Sequence, residues 1–169
     1  ELTRQACVAM NNVTQGAVVD DALQTSVPGI FACGNVLHVH DLVDFVSAES
    51  FKAGRAAARF ALAGPRGGRY AAVLDGEGVR GAVPQRIRLP EASEVPEAVQ
   101  ILFRPACVYE NATIRVLEGE TEILRQKKRI LAPGEMADIM LKPEQVAKLN
   151  GKDITILIEA GEGVCAWNS

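Results

Sequence analysis

The second half of the chain is written in period two. The runs VQILFRP from Val99, ATIRVLE from Ala112, TEILRQK from Thr121, MADIMLK from Met136 and DITILIE from Asp153 alternate apolar and polar residues. Such alternation puts one face of a strand inside and the other in water, which a helical period cannot do. Repeated at short spacing, with turn signals such as LEGE and APGE between the runs, it predicts an antiparallel sheet folded as a small sandwich. One interruption, KPEQVAKLNG, has Pro143 at a helix start and Gly151 past its end, which predicts one or two helical turns between strands.

The first 64 residues read differently. GAVVD, from Gly16, and the apolar run Ile30 to Cys33 predict two short strands, with Pro28 and Gly29 as the turn before the second. Val46 to Ala63 is rich in helix formers, and Gly64 followed by Pro65 stops it, predicting one long helix. GPRGGR is a linker by composition. The expected organisation is an α/β segment at 1–64, a linker at 65–70 and an all-β, sandwich-like domain at 71–169. Two strands and a helix cannot bury enough surface to offset the entropy of ordering them. The first segment therefore needs upstream sequence or a partner chain, and a chain opening on Glu1 rather than Met reads as part of a longer protein.

The bulk properties exclude some classes of function. With 169 residues, 48% apolar, and a net charge of -3, the chain lacks the basic footprint of a nucleic-acid or anionic-membrane binder. It has no membrane-length apolar run and no leader-like opening, which predicts a cytoplasmic protein. Cys7, Cys33, Cys107 and Cys165 include no CxxC pair, so reduced thiols are the default reading and neither a zinc knuckle nor a redox dithiol is indicated.

Several motifs read as structural. GEGVRG, from Gly76 to Gly81, matches GxGxxG by letter, but Pro84 and Pro90 follow where the dinucleotide fingerprint needs a helix. The sequons at Asn12 and Asn111 are surface tripeptides, and Lys127 to Arg129 are a solvated strand end. Cys33 packs as a small buried thiol. HVHD is the one cluster with metal-ligand chemistry: in an extended segment His38 and His40 face the same way beside Asp41. These are the chain's two histidines, and no third ligand can be placed from sequence. A loop lining a cofactor pocket, with the imidazoles as donors or a proton relay, is the preferred reading, without a metal.

One stretch carries more information. TSVPGIFACGN, with Thr25, Ile30, Phe31, Ala32, Gly34 and Asn35 in order, resembles the second FAD-binding motif of the pyridine nucleotide-disulfide oxidoreductase superfamily, the group of glutathione and thioredoxin reductases. GNVLHVHDLVDFVS further resembles a bacterial subgroup associated with FAD-dependent glycerol-3-phosphate dehydrogenase. In that family an Asp follows the glycine and accepts a hydrogen bond from a ribityl hydroxyl of FAD. Here Asn35 stands in its place, keeping an acceptor oxygen and losing the charge.

The resemblance implies that residues 1–64 are the C-terminal remnant of an FAD-binding Rossmann-like domain. Gly34 would let the backbone approach the cofactor, Asn35 would contact the ribityl chain, and Val46, Ser47 and Ala48 would start a helix facing the flavin. His38, His40 and Asp41 would lie at the pocket mouth. NAD(P)H would be bound upstream of Glu1, so the implied activity is hydride transfer from NAD(P)H to FAD and on to an unidentified acceptor, with this chain inactive alone. The rival expectation is that the β domain is a non-catalytic module that binds a protein partner or dimerises.

Overall fold

Period-two burial is realised along almost the whole second half of the computed structural model, which describes residues 2–161. Eight strands form: β1 Tyr70–Asp75, β2 Val79–Val83, β3 Arg86–Arg88, β4 Val99–Pro105, β5 Tyr109–Glu118, β6 Thr121–Leu131, β7 Ala137–Leu141 and β8 Ile154–Glu159. In β4, β7, β8 and β5 from Ala112 onward every second residue is buried, as alternation requires of a strand with one wet face, whereas β6 buries only Leu131. They build a five-stranded sheet, ordered β3-β1-β8-β5-β6, and a three-stranded sheet, ordered β2-β4-β7. Ile114, Ile154 and Ile156 from the larger sheet share one core with Ile101, Phe103 and Ile139 from the smaller.

The larger sheet is mixed, which corrects the antiparallel expectation. β1 and β8 run parallel, with Val73 opposite Ile154 and Asp75 opposite Ile156. Alternation reports which face is buried and carries nothing about the direction of the neighbouring strand. A short helix, Pro143–Val146, lies between β7 and β8 with Pro143 in its first turn. The Gln145 side chain accepts the Lys142 N–H at 2.8 Å and closes its start. Lys127, Lys128 and Arg129 sit on β6, an edge strand whose charges discourage pairing with another chain. The GEGVRG run forms the β1–β2 turn and the start of β2, with a strand behind it rather than a helix.

The first part holds two helices, α1 Leu2–Gln5 and the 21-residue α2 Val43–Ala63. α2 begins three residues before the expected Val46 and ends at Gly64, whose φ of +77° and N–H to Phe60 at 2.8 Å terminate it as expected. The two expected strands are absent as strands. Met10 with Ala17, Val19 with Thr25, and Gln24 with Phe31 pair as single bridges. Left-handed backbone at Gln15, Leu23 and Gly29 turns the chain every few residues, so no run is long enough to extend a ladder. Val8, Val19, Leu37 and Ala53 pack into a second small core that also takes in Val83 of β2. Cys107 is disulfide-bonded, which corrects the all-reduced reading at that position, while Cys7 and Cys33 are free. Cys165 and the tail of the expected 71–169 domain lie outside the described residues.

The two cores are joined through Gln85. Its side chain accepts the buried Val19 N–H at 2.8 Å and donates to Ala82 O at 3.0 Å, and its backbone N–H donates to Val19 O at 3.1 Å. Gln85→Ala should therefore destabilise the chain by about 1–3 kcal/mol, the cost of an orphaned buried donor, read as a lower urea midpoint at unchanged m.

Asp20 supplies a second joint: its Oδ1 accepts Ala22 N–H at 2.9 Å and Gln24 N–H at 3.0 Å, and its backbone bridges Arg86. Burial, with the neighbouring Asp21 charge, pushes its carboxyl above the usual range. The folded state therefore holds this proton where the unfolded state has lost it, so the group's contribution falls as pH rises from its ordinary value through the raised one. Asp20→Asn keeps the accepting oxygen and should gain stability relative to wild type as pH rises above the ordinary aspartate range, measured as urea midpoints.

Candidate functional site

One carboxylate organises the segment from Cys33 to Leu42, whose Leu37 belongs to the smaller core. Cys33 is extended, and Gly34 then takes φ of +68°, a conformation that side chains oppose, before a single 3₁₀ turn over Gly34–Val36. The next residues carry His38 and His40 back toward α2. There Glu49, on the helix face that also buries Ala53, receives three donors. Gly34 N–H reaches Glu49 Oε2 at 2.5 Å, His38 Nε2 lies 2.8 Å from Oε1, and His40 Nε2 lies 3.1 Å from Oε2. The imidazoles stand edge to face with centroids 4.3 Å apart.

All three side chains are inside the protein: His38 is 5% exposed, His40 2% and Glu49 8%. Burial opposes ionisation of Glu49, but the hydrogen bonds from His38, His40 and Gly34 outweigh it and hold the carboxyl below its usual range. His38 Nδ1 is buried with no hydrogen-bond partner.

Asp41 has a separate task. Its carboxylate accepts Arg104 Nη2 at 2.5 Å and Met136 N–H at 2.6 Å, tying the end of the segment to β4 and to the residue before β7. Burial pushes this carboxyl up, and the Met136 and Arg104 hydrogen bonds bring it below its usual range. Arg104 also donates to Val39 O at 3.1 Å.

A cavity of about 230 Å³ opens beside this cluster. His40, Phe45, Ala48, Glu49 and Lys52 line its helical side, and Val83, Pro84, Leu102 and Met136 line the side formed by the smaller sheet. Burial pulls the Lys52 ammonium below the usual lysine range against the nearby carboxylates of Asp21, Glu49 and Asp20.

The sequence-predicted residues do not gather in one place. Gly34 and Val46 meet, the latter's methyl lying 3.3 Å from where a Cβ on Gly34 would sit. His40 and Ala48 line the cavity, whereas Asn35 is exposed and faces a groove with Arg4, Met10 and Val36. Ser47 spends its hydroxyl on Val43 O at 3.1 Å.

Two residues escaped the sequence reading, Glu49 and Lys52. Helical spacing carried a usable signal for Glu49, which is three residues after Val46 and four before Ala53 on the buried face. Among the described residues, no helix is long and apolar enough to cross a membrane. No protein-family model, curated protein or solved structure matches the chain.

The segment also depends on Gly16, where an added Cβ would fall 1.7 Å from Leu37 O and 2.5 Å from its carbonyl carbon. Leu37 is fully buried, so the clash is with backbone that cannot swing into solvent. Gly16→Ala should cost about 1–3 kcal/mol or more as an overpacked site, read as a lower thermal midpoint.

Proposed function

We propose that the chain is the C-terminal part of a flavoprotein oxidoreductase that takes a hydride from NAD(P)H onto FAD and passes the electrons to a further acceptor. The observation that carries this reading is the bare amino end of α2 beside the Gly34 turn. Leu42, before the helix, is extended and no side chain caps the first turn. Free N–H groups and the positive end of the helix dipole favour electron density on a neighbouring group.

Asn35 exposes a carboxamide to the groove it shares with Arg4 and Val36, while Gly34 before it is buried with its N–H on Glu49. In this reading Gly34 and Asn35 hold the ribityl end, and the backbone of Val46, Ser47 and Ala48 belongs to the helix that faces the flavin. FAD, when bound, supplies the hydride chemistry, and the nicotinamide would be held by residues outside this chain.

The chain's own work is orientation. The Glu49 clamp fixes the Gly34 turn against α2, and Asp41 with Arg104 fixes the far end of the same segment to the β part. Exposed apolar side chains on and beside α2 add support. Val43 and Phe51 are each 75% exposed, an apolar surface suited to further polypeptide or a ring system.

The test is the flavin content of the longer protein that this reading implies, with Asn35→Ala beside wild type. The expected result is bound FAD identified by its absorbance spectrum, with affinity about threefold to tenfold weaker in the variant, the worth of one hydrogen bond. A parent protein free of flavin overturns the reading and leaves the β part, as a partner-binding or dimerising module, to carry the function.

A further inference from the structure

We propose that His38, His40 and Glu49 form a binding site for a divalent first-row transition metal of the zinc class, open on one side to the cavity between α2 and the smaller sheet. This goes beyond the flavin reading and stands independently of it, because none of the three residues is assigned a contact with FAD.

The geometry is that of a donor set drawn together. One ring nitrogen from each histidine and a carboxylate oxygen of Glu49 all lie within 4.8 Å of one another. Ligands on a tetrahedral zinc ion with bonds of about 2.0–2.1 Å stand about 3.3 Å apart. The observed separations, 2.8 Å from His38 Nε2 to Oε1 and 3.1 Å from His40 Nε2 to Oε2, are close to that spacing, each imidazole facing a different oxygen of the one carboxylate. Two imidazole nitrogens and one carboxylate are also the ligand types that zinc and its neighbours take, and three protein ligands leave a position for water or a small molecule. His40 and Glu49 line the cavity, which provides that position and a route of entry.

Two further features favour a metal over a purely structural cluster. A buried carboxylate needs donors, yet two histidines spend their Nε2 atoms on this one, although Gly34 N–H already serves it. With both rings neutral, each must carry its proton on Nε2, pointing inward. An ion at the centre would bond the two Nε2 lone pairs instead, and the proton of His38 would move to Nδ1, which has no protein acceptor and would need a water there. The Gly34 N–H, meanwhile, bonds Oε2 and helps fix the carboxylate's orientation, as the partners of metal ligands commonly do.

The experiment titrates the chain, prepared without a histidine tag and stripped with chelator, with Co²⁺ and then Zn²⁺. The readouts are visible absorption, metal stoichiometry and thermal midpoint. The expected result is one Co²⁺ per chain with a d–d band, displaced by Zn²⁺, and a midpoint that rises with free metal. Loss of partners behind a ligand already weakens metal affinity about 10–100-fold, so His40→Ala and Glu49→Gln should weaken it at least about a hundredfold. Glu49→Gln retains an acceptor for Gly34 N–H, and unchanged far-ultraviolet circular dichroism confirms that it is folded. Folded wild type that takes up no stoichiometric Co²⁺ overturns the proposal. So does undiminished binding by both variants, which would move the ion to the free thiols of Cys7 or Cys33.

Discussion

A buried carboxylate must be served by donors, and in this protein the donors that serve Glu49 come from one short segment. Gly34, His38 and His40 all point at it, so its desolvation is offset only while that segment lies against α2. The arrangement explains why a loop with no ladder of its own is held in place. It also explains why α2, with only Glu49 and Ala53 buried, has a defined position relative to the rest of the chain. The other end of the segment is held by a second charge, Asp41 on Arg104, which is anchored in β4. Polar contacts therefore fix the junction where apolar area is scarce. The cavity follows, because its helical wall is set by the first contact and its distance from the sheet by the second.

The β part rests on a different constraint. Its core is made by alternate residues of two sheets, with Ile114, Ile154 and Ile156 meeting Ile101, Phe103 and Ile139. This arrangement needs no special polar group inside it. On the wet face of the larger sheet, Arg115 instead bonds Glu122 and Glu159, linking β5 to its neighbours β6 and β8. Such exposed pairs contribute little to stability and serve mainly to keep that face soluble and unsuited to stacking. Two buried polar groups are the exceptions: Gln85, an amide where the two cores touch, and Glu118, whose carboxylate at the end of β5 accepts the Asn150 and Gly151 N–H groups.

What could be read in the sequence follows the range of the interactions. Strands β4 to β8, the end of α2 at Gly64 and the turn of helix at Pro143 are encoded locally, in period two, in glycine and in proline, and the structure has them. The parallel pairing of β1 with β8 joins residues some 80 positions apart, such as Val73 and Ile154, and alternation is blind to it. The residues around Val19 and Phe31 have strand composition, but positive φ at Leu23 and Gly29 cuts each run before a ladder can grow. In the site, HVHD announced two imidazoles with compatible chemistry. The third member was hidden because Glu49 stands on another element, and only the fold brings a helix position against a loop nine residues earlier.

The glycine turn and the histidine pair, two motifs that read as separate in the sequence, meet on a single group. Glu49 Oε2 takes both the Gly34 N–H and His40, while Oε1 takes His38. Any change in what the carboxylate binds on its histidine side must therefore be felt at Gly34, through one rigid planar group a few ångströms across. A proton, an imidazole or a cation placed there alters the acceptor strength that Gly34 N–H sees, and with it the hold on the turn beside the free end of α2. The helix end and the histidine cluster are for this reason one electrostatic unit, and Glu49 is the residue through which each would sense the other.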